Sequence, residues 1–223
     1  MLKAKREFER QDWTKRRGLG TVDLNQFALL VRAQPGLVSQ ALERRFGHPI
    51  VNAIGKRVTV RSASCVMYRL KGHAWTVIAG IDDLMFEMSN RNLGQILSKE
   101  LHTPVISYDG SSTSESHGYE RWDTGIQTER CEIDGDSATF WTKLPNRRKP
   151  KGGNEGLDFV NRSFDRWGIF IPEFNGDYFV NHKRVAPGDT VRVVNPGIVC
   201  NFGGSLEGRS TPPFERVDFF PGK

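Results

Sequence analysis

Apolar and polar positions change rhythm several times along this chain. A charged stretch over residues 3–17 is compatible with a helix, and Gly18 and Gly20 then interrupt it. Leu24, Phe27, Ala28 and Val31 recur at i, i+3, i+4 and i+7, which predicts a helix from Thr21 or Asp23 to about Arg32. Pro35-Gly36 marks a turn. Leu37, Ala41 and Leu42 predict a second helix over about 37–46, stopped by Gly47. From Lys56 the period becomes two, with Val58 and Val60 alternating against Lys56, Arg57, Thr59 and Arg61. The runs CVMYRLKG (65–72) and AWTVIAGI (74–81) follow, joined at Lys71-Gly72. Three strands with short links predict an antiparallel meander.

Helical spacing returns over 91–102, where Leu93, Ile96, Leu97 and Leu101 share a face, Asn90 or Asn92 can cap the start and Pro104 lies beyond the end. Val105, Ile106 and Tyr108 open a strand, Tyr119 and Trp122 belong to another, and Ile126, Cys131 and Ile133 to a third. The turn signals Asp123-Thr124-Gly125 and Asp134-Gly135 separate them, and ATFWTKL (138–144) extends the sheet. Residues 145–156 form a long basic loop rich in Pro and Gly. Phe159, Val160, Phe164 and Trp167 predict a helix over 157–167, ended by Gly168. A short extended run, IFIPEF, comes next. Residues 177–194 read as a hairpin turning at Pro187-Gly188-Asp189, and FERVDFF reads as a last strand. Strands come in consecutive runs rather than in strict βαβ alternation. The pattern therefore predicts an α+β fold, an antiparallel sheet with helices packed on one face and N-terminal helices. It divides the chain into a basic N-terminal helical segment, 1–20, and a single α+β domain, 21–223.

With 223 residues, 37% of them hydrophobic and 26% charged, the chain can build a core and keep a solvated surface. No run of about eighteen apolar residues is present, so no membrane partner is expected. The charged N-terminus lacks the apolar stretch of a secretory signal, which leads us to expect a cytoplasmic protein. The three cysteines, Cys65, Cys131 and Cys200, are far apart, with no CxxC and no Cys/His cluster at zinc spacing. Neither a metal nor a cofactor is expected.

The net charge of +6 is unevenly distributed. Residues 1–17 hold seven positive and three acidic side chains, and residues 143–151 hold five positive and no acidic ones. The remainder is mildly acidic. Arg16, Arg17, Arg147, Arg148, Lys149 and Lys151 are thus candidates for phosphate contact. The plainer reading is a solvated helix face and a solubilising loop. The stretch 108–120, YDGSSTSESHGYE, is the most unusual. It sets Tyr108, Asp109, Glu115, His117 and Tyr119, with Trp122 just beyond, around a polar tip between two strands. Acids near a histidine suit acid–base work, and aromatic shoulders suit a protein partner. A hairpin tip satisfying its own turns explains the same residues.

Residues 97–131, LSKELHTPVISYDGSSTSESHGYERWDTGIQTERC, resemble a pattern of uncharacterised bacterial intracellular proteins: a helix, V-I-Y, a polar loop and an aromatic strand. The stretch 159–172, ending in GIFIP, is similar to a later element of that pattern. The resemblance implies a small bacterial intracellular protein and assigns no chemistry. Three functional readings follow. The first is a non-enzymatic binding protein with a protein partner, of the kind that serves as an immunity or accessory factor in bacterial conflict systems. The second is a nucleic-acid-associated protein using segments 3–17 and 143–151. The third is an enzyme with a site near the loop 108–120.

Overall fold

The computed structural model describes residues 12–20, 26–82, 92–111, 114, 116–172, 176–181, 185–196, 198–202, 205–210 and 212–222; side chains are described for these except at 153–154, 198–202 and 205–210. Its centre is an eight-stranded antiparallel sheet. In chain order the strands are β1 (Gly18–Leu19), β2 (Gln26–Val31), β3 (Arg57–Thr59), β4 (Cys65–Leu70), β5 (Thr76–Gly80), β6 (Val105–Ser111), β7 (Ser116–Asp123), β8 (Ile126–Asp134), β9 (Ser137–Thr142), β10 (Phe170–Ile171), β11 (Thr190–Arg192), β12 (Ile198–Phe202), β13 (Ser205–Ser210) and β14 (Phe214–Phe220). The helices are α1 (Pro35–Phe46), α2 (Leu93–Leu101) and α3 (Gly153–Arg166). The large sheet runs β14-β4-β5-β2-β6-β7-β8-β9, and β1-β10, β3-β11 and β12-β13 form separate pairs. The fold is α+β. Among the described residues no helix is long and apolar enough to cross a membrane.

The hairpins β6–β9 follow the alternation and turn residues of the sequence. Thr124 and Gly125 both take positive φ between β7 and β8, as a tight hairpin turn requires. α1 begins on Pro35, whose missing N–H is harmless in a first turn, and ends at Gly47 with φ 83°.

Four expectations need correction. The helix expected to reach Arg32 is the strand β2, buried at every position and paired with β5 and β6. Phe27–Val31 is a continuous apolar run, and a strand buried on both faces shows no period of its own. β3 pairs with β11 rather than with β4, so the expected meander keeps only β4 and β5. Among the described residues of 177–194 no hairpin forms: Gly176–Val180 is a 3-10 helix, and the turn at Gly188 docks on Val60 through Gly188 N–H to Val60 O (2.8 Å) and Val60 N–H to Asp189 O (2.9 Å). Finally, the helices do not all share one face. α1 and α2 set Val38, Leu42, Leu93 and Leu97 against Leu29, Met67 and Ile78. α3 sets Val160 and Phe164 against Tyr108, Tyr119, Cys131 and Ile133 on the other face. Alternate residues of β6–β8 are apolar on that second face and need their own cover.

Residues 3–11 of the charged N-terminal stretch, Phe8 included, lie outside the described residues. Over 12–20 the chain is a 3-10 turn, Trp13–Lys15, followed by β1, which pairs in parallel with β10. Trp13 is buried, 6.1 Å from the Phe170 ring, and its carbonyl accepts a hydrogen bond from His73 Nε2 at 2.8 Å. Burial, with Arg17 and Arg69 nearby, holds the His73 pKa below its ordinary value of 6.5 despite that bond. The unfolded chain therefore binds a proton that the folded chain resists. His73 adds stability that is complete above about pH 6.5 and is lost as pH falls toward its folded pKa. His73→Gln, which still offers a donor to Trp13, is expected to flatten this acid-side loss in urea titrations at pH 7.5 and 5.5. An unchanged pH dependence would show that other groups carry it.

Candidate functional site

Tyr108, Tyr119 and Trp122 are 2%, 2% and 6% exposed, so they are core residues rather than the shoulders of a docking surface. Tyr108 and Tyr119 stack edgewise or tilted on Phe164 of α3, at 5.4 and 5.8 Å. Trp122 lies on α2, where a Cβ on Gly94 would come within 2.7 Å of its ring. Glu115 lies outside the described residues. The pairing of Gly110 with His117 and of Asp109 with Gly118 puts His117 on the face of Tyr108 and Asp109 on the other. Asp109 and His117 therefore lie on opposite faces. His117 is 7% exposed, with Nδ1 3.3 Å from the Tyr108 hydroxyl. Burial lowers its pKa, partly offset by Asp109. An open groove of about 810 Å³ crosses β6–β8 here, lined by Asp109, Glu120, Glu132 and Asp134, with Arg130 among them. Arg130 pairs with Glu120 at 3.6 Å and with Glu132. Among the described residues no group of three His, Cys, Asp or Glu side chains could hold a metal ion. Cys65 and Cys131 are buried free thiols; burial, then Glu129, pushes Cys131 up to about 12, so no thiolate forms at neutral pH.

On the α3 face lies a polar cluster that no sequence motif marks. Glu129 is fully buried, and Arg147 reaches it from the basic loop through Nη2–Oε1 (2.6 Å) and Nε–Oε2 (3.0 Å). Tyr119 donates its hydroxyl proton to Oε1 at 2.5 Å, and Thr142 donates to Oε2 at 2.7 Å. Arg147 Nη2 also lies 3.0 Å from the Tyr119 hydroxyl and donates to Ser163 Oγ at 2.7 Å, which passes the chain to Phe159 O. The guanidinium sits 4.6 Å over Phe159 and 5.5 Å over Trp167. Burial and the neighbouring carboxylate push the Tyr119 pKa well above its ordinary value. The sequence does hold a signal for this cluster. Glu129 occupies the same strand face as Cys131 and Ile133, and an acid on an apolar face requires a cation. Unlike its neighbours in the basic loop, Arg147 is paired with a buried carboxylate, its side chain 7% exposed.

The other basic residues remain outside. A cleft of about 310 Å³ lies between the loop and α3, lined by Arg147, Arg148, Lys149, Arg162 and Arg166 with Glu155 as the one acid. Glu155, Phe159, Arg162 and Arg166 follow one another along a single helix face. Arg148, Lys149 and Arg166 make no ion pair among the described residues, whereas Arg162 meets Asp158 and Lys151 meets Glu155 only at 3.9 Å. The N-terminal cations reach the end of the same helix. Arg17 Nε is 3.9 Å from where a Cβ on Gly168 would stand, and its Nη1 donates to Thr14 O and Arg16 O. Arg16 stacks over Phe170 at 4.8 Å and Trp13 at 5.3 Å. Two segments some 130 residues apart thus meet on α3, together with Arg162 and Arg166, which the charge pattern did not single out.

No family model, curated protein or solved structure matches this chain. The functional reading therefore rests on geometry alone. In the groove Glu120 and Glu132 are already paired with Arg130, and Asp109 and His117 lie on opposite faces of their strands, while the cleft offers Arg148, Lys149 and Arg166 without an ion pair among the described residues.

Proposed function

We propose that this protein is a non-catalytic nucleic-acid binder that engages the phosphate backbone at the cleft between the loop 146–150 and α3. The observation that carries the reading is the convergence of Arg148 and Lys149 with Arg162 and Arg166 around a concave surface with a single acid. Cations set in a concavity attract phosphates more strongly than the same cations scattered. Arg16 and Arg17 prolong the positive band beyond Gly168. The protein-partner reading, with its immunity role, is supported less well, because Tyr108, Tyr119 and Trp122 have no surface to offer.

The test is a salt titration of binding to a short fluorescent DNA duplex, repeated with single-stranded RNA. Arg148→Ala, Lys149→Ala and Arg166→Ala combined, with Arg147 intact, should reduce the slope of log affinity against log salt by about 3 on duplex DNA. No binding to either probe at low salt, or a slope untouched by the triple variant, would defeat the proposal.

A further inference from the structure

We infer that β9 is a self-association edge through which two copies of this chain join their sheets. The inference rests on β9 alone and is independent of the nucleic-acid reading. At the opposite end of the large sheet, β14 is partly covered: Ile50 bridges Phe219, and Ala53 N–H bonds Val217 O at 2.8 Å. Gly152 packs on the Asp136–Ser137 backbone at one end of β9, but among the described residues no backbone bridge covers Ala138, Phe140 or Thr142. β9 pairs only with β8, and no backbone hydrogen bond reaches its outer side among the described residues. The loop that follows it turns inward to deliver Arg147 to the core.

Backbone geometry says which groups are free. Asp134 pairs with Ser137 across the turn, and Lys143 N–H donates to Thr128 O at 2.8 Å, so residues 137, 139, 141 and 143 bond toward β8. The N–H and C=O groups of Ala138, Phe140 and Thr142 point outward. Natural edge strands are normally blunted by charges or proline, yet β9 reads SATFWT, uncharged and rich in strand-forming residues. Trp141 is 44% exposed on it.

Charge chooses the occupant. Asp134 and Asp136 stand at one end of β9 and Lys143 at the other, all exposed. In an antiparallel pair centred on Phe140, Ala138 meets the second copy's Thr142 and Phe140 meets its counterpart, so all three outward residues pair. Lys143 then stands opposite Ser137 of the second copy, one position from its Asp136. Each end thus brings opposite charges together, and both ends do so at once, as a two-fold contact requires. The axis is perpendicular to the sheet, so both α3 helices, and both basic clefts, lie on the same face of the joined sheet.

Sedimentation of the full chain across a concentration series tests this. A monomer–dimer equilibrium is expected at micromolar concentrations. Ala138→Pro removes an outward N–H without touching the ladder to β8, and should leave a cooperative monomer. Lys143→Glu should weaken the dimer by roughly fivefold, and adding Asp136→Lys should restore it. The pair of charge variants keeps the test decisive should Ala138→Pro not fold. A wild-type chain that stays monomeric at high micromolar concentration, or a dimer indifferent to the charge reversal and its rescue, would overturn the inference. DNA binding by a strictly monomeric protein would defeat this inference and leave the cleft reading standing.

Discussion

Arg147→Ala is expected to destabilise the fold by about 3–5 kcal/mol, the largest loss for any residue of the basic loop, because it strands the Glu129 carboxylate in the core. The carboxylate is fully buried, and Arg147 supplies two of its four hydrogen bonds. Water cannot replace them without entering the space between α3 and the sheet. Arg147→Lys keeps the charge but loses the two-pronged contact and the flat stacking on Phe159, so an intermediate cost is expected. The double change Glu129→Met with Arg147→Met removes both charges and should recover much of the loss, since a buried pair is seldom better than a well-packed apolar one. Urea unfolding with a cooperativity check measures all three. Arg148→Ala, one residue along, should change stability by less than about 0.5 kcal/mol. An Arg147→Ala cost as small as that would show that Glu129 is not held in the core. The same comparison separates stability from binding: a salt-dependence experiment that replaced Arg147 would unfold the cleft rather than discharge it.

Phe164→Ala is expected to cost about 3–5 kcal/mol as well, through the cavity it opens. Phe164 is fully buried and holds Tyr108, Tyr119 and Trp167 within ring contact, which fastens α3 to the second face of the sheet. Natural domains are stable by only about 5–15 kcal/mol, so the variant should unfold at a visibly lower urea midpoint. Trp141→Ala offers the control: equally aromatic, 44% exposed, it should change monomer stability by less than about 0.5 kcal/mol. Equal effects at the two positions would show that α3 contributes little to the core.

These two results bear on the same ambiguity. Aromatic residues beside a polar loop look alike in sequence whether they flank a docking surface or fill a core, because alternation reports which residues share a face and not what covers that face. Tyr108 and Tyr119 pair across β6 and β7 and so share a face; that α3 lies over them is decided some forty residues later in the chain. Arg147 is the same case in electrostatics. Within KLPNRRKPK it is one of five cations, and only the return of the loop beneath β9 singles it out.

What the amino-acid sequence determined by itself is the local part of the fold. The hairpins β6–β9, the helices α1, α2 and α3 and the α+β class follow from period, caps and turn residues, which act over a few positions. The tertiary structure alone decided the rest. It made Gln26–Val31 a central strand, set β14 beside β4, sent β3 to β11, and put α3 on the face opposite α1 and α2. It also gathered a basic cleft from a loop and a helix, and tied the N-terminal cations to the end of that helix. Each of these pairs residues distant in the chain, and such pairings are chosen by competition for buried area and hydrogen-bond partners across the whole molecule, which no local spacing records.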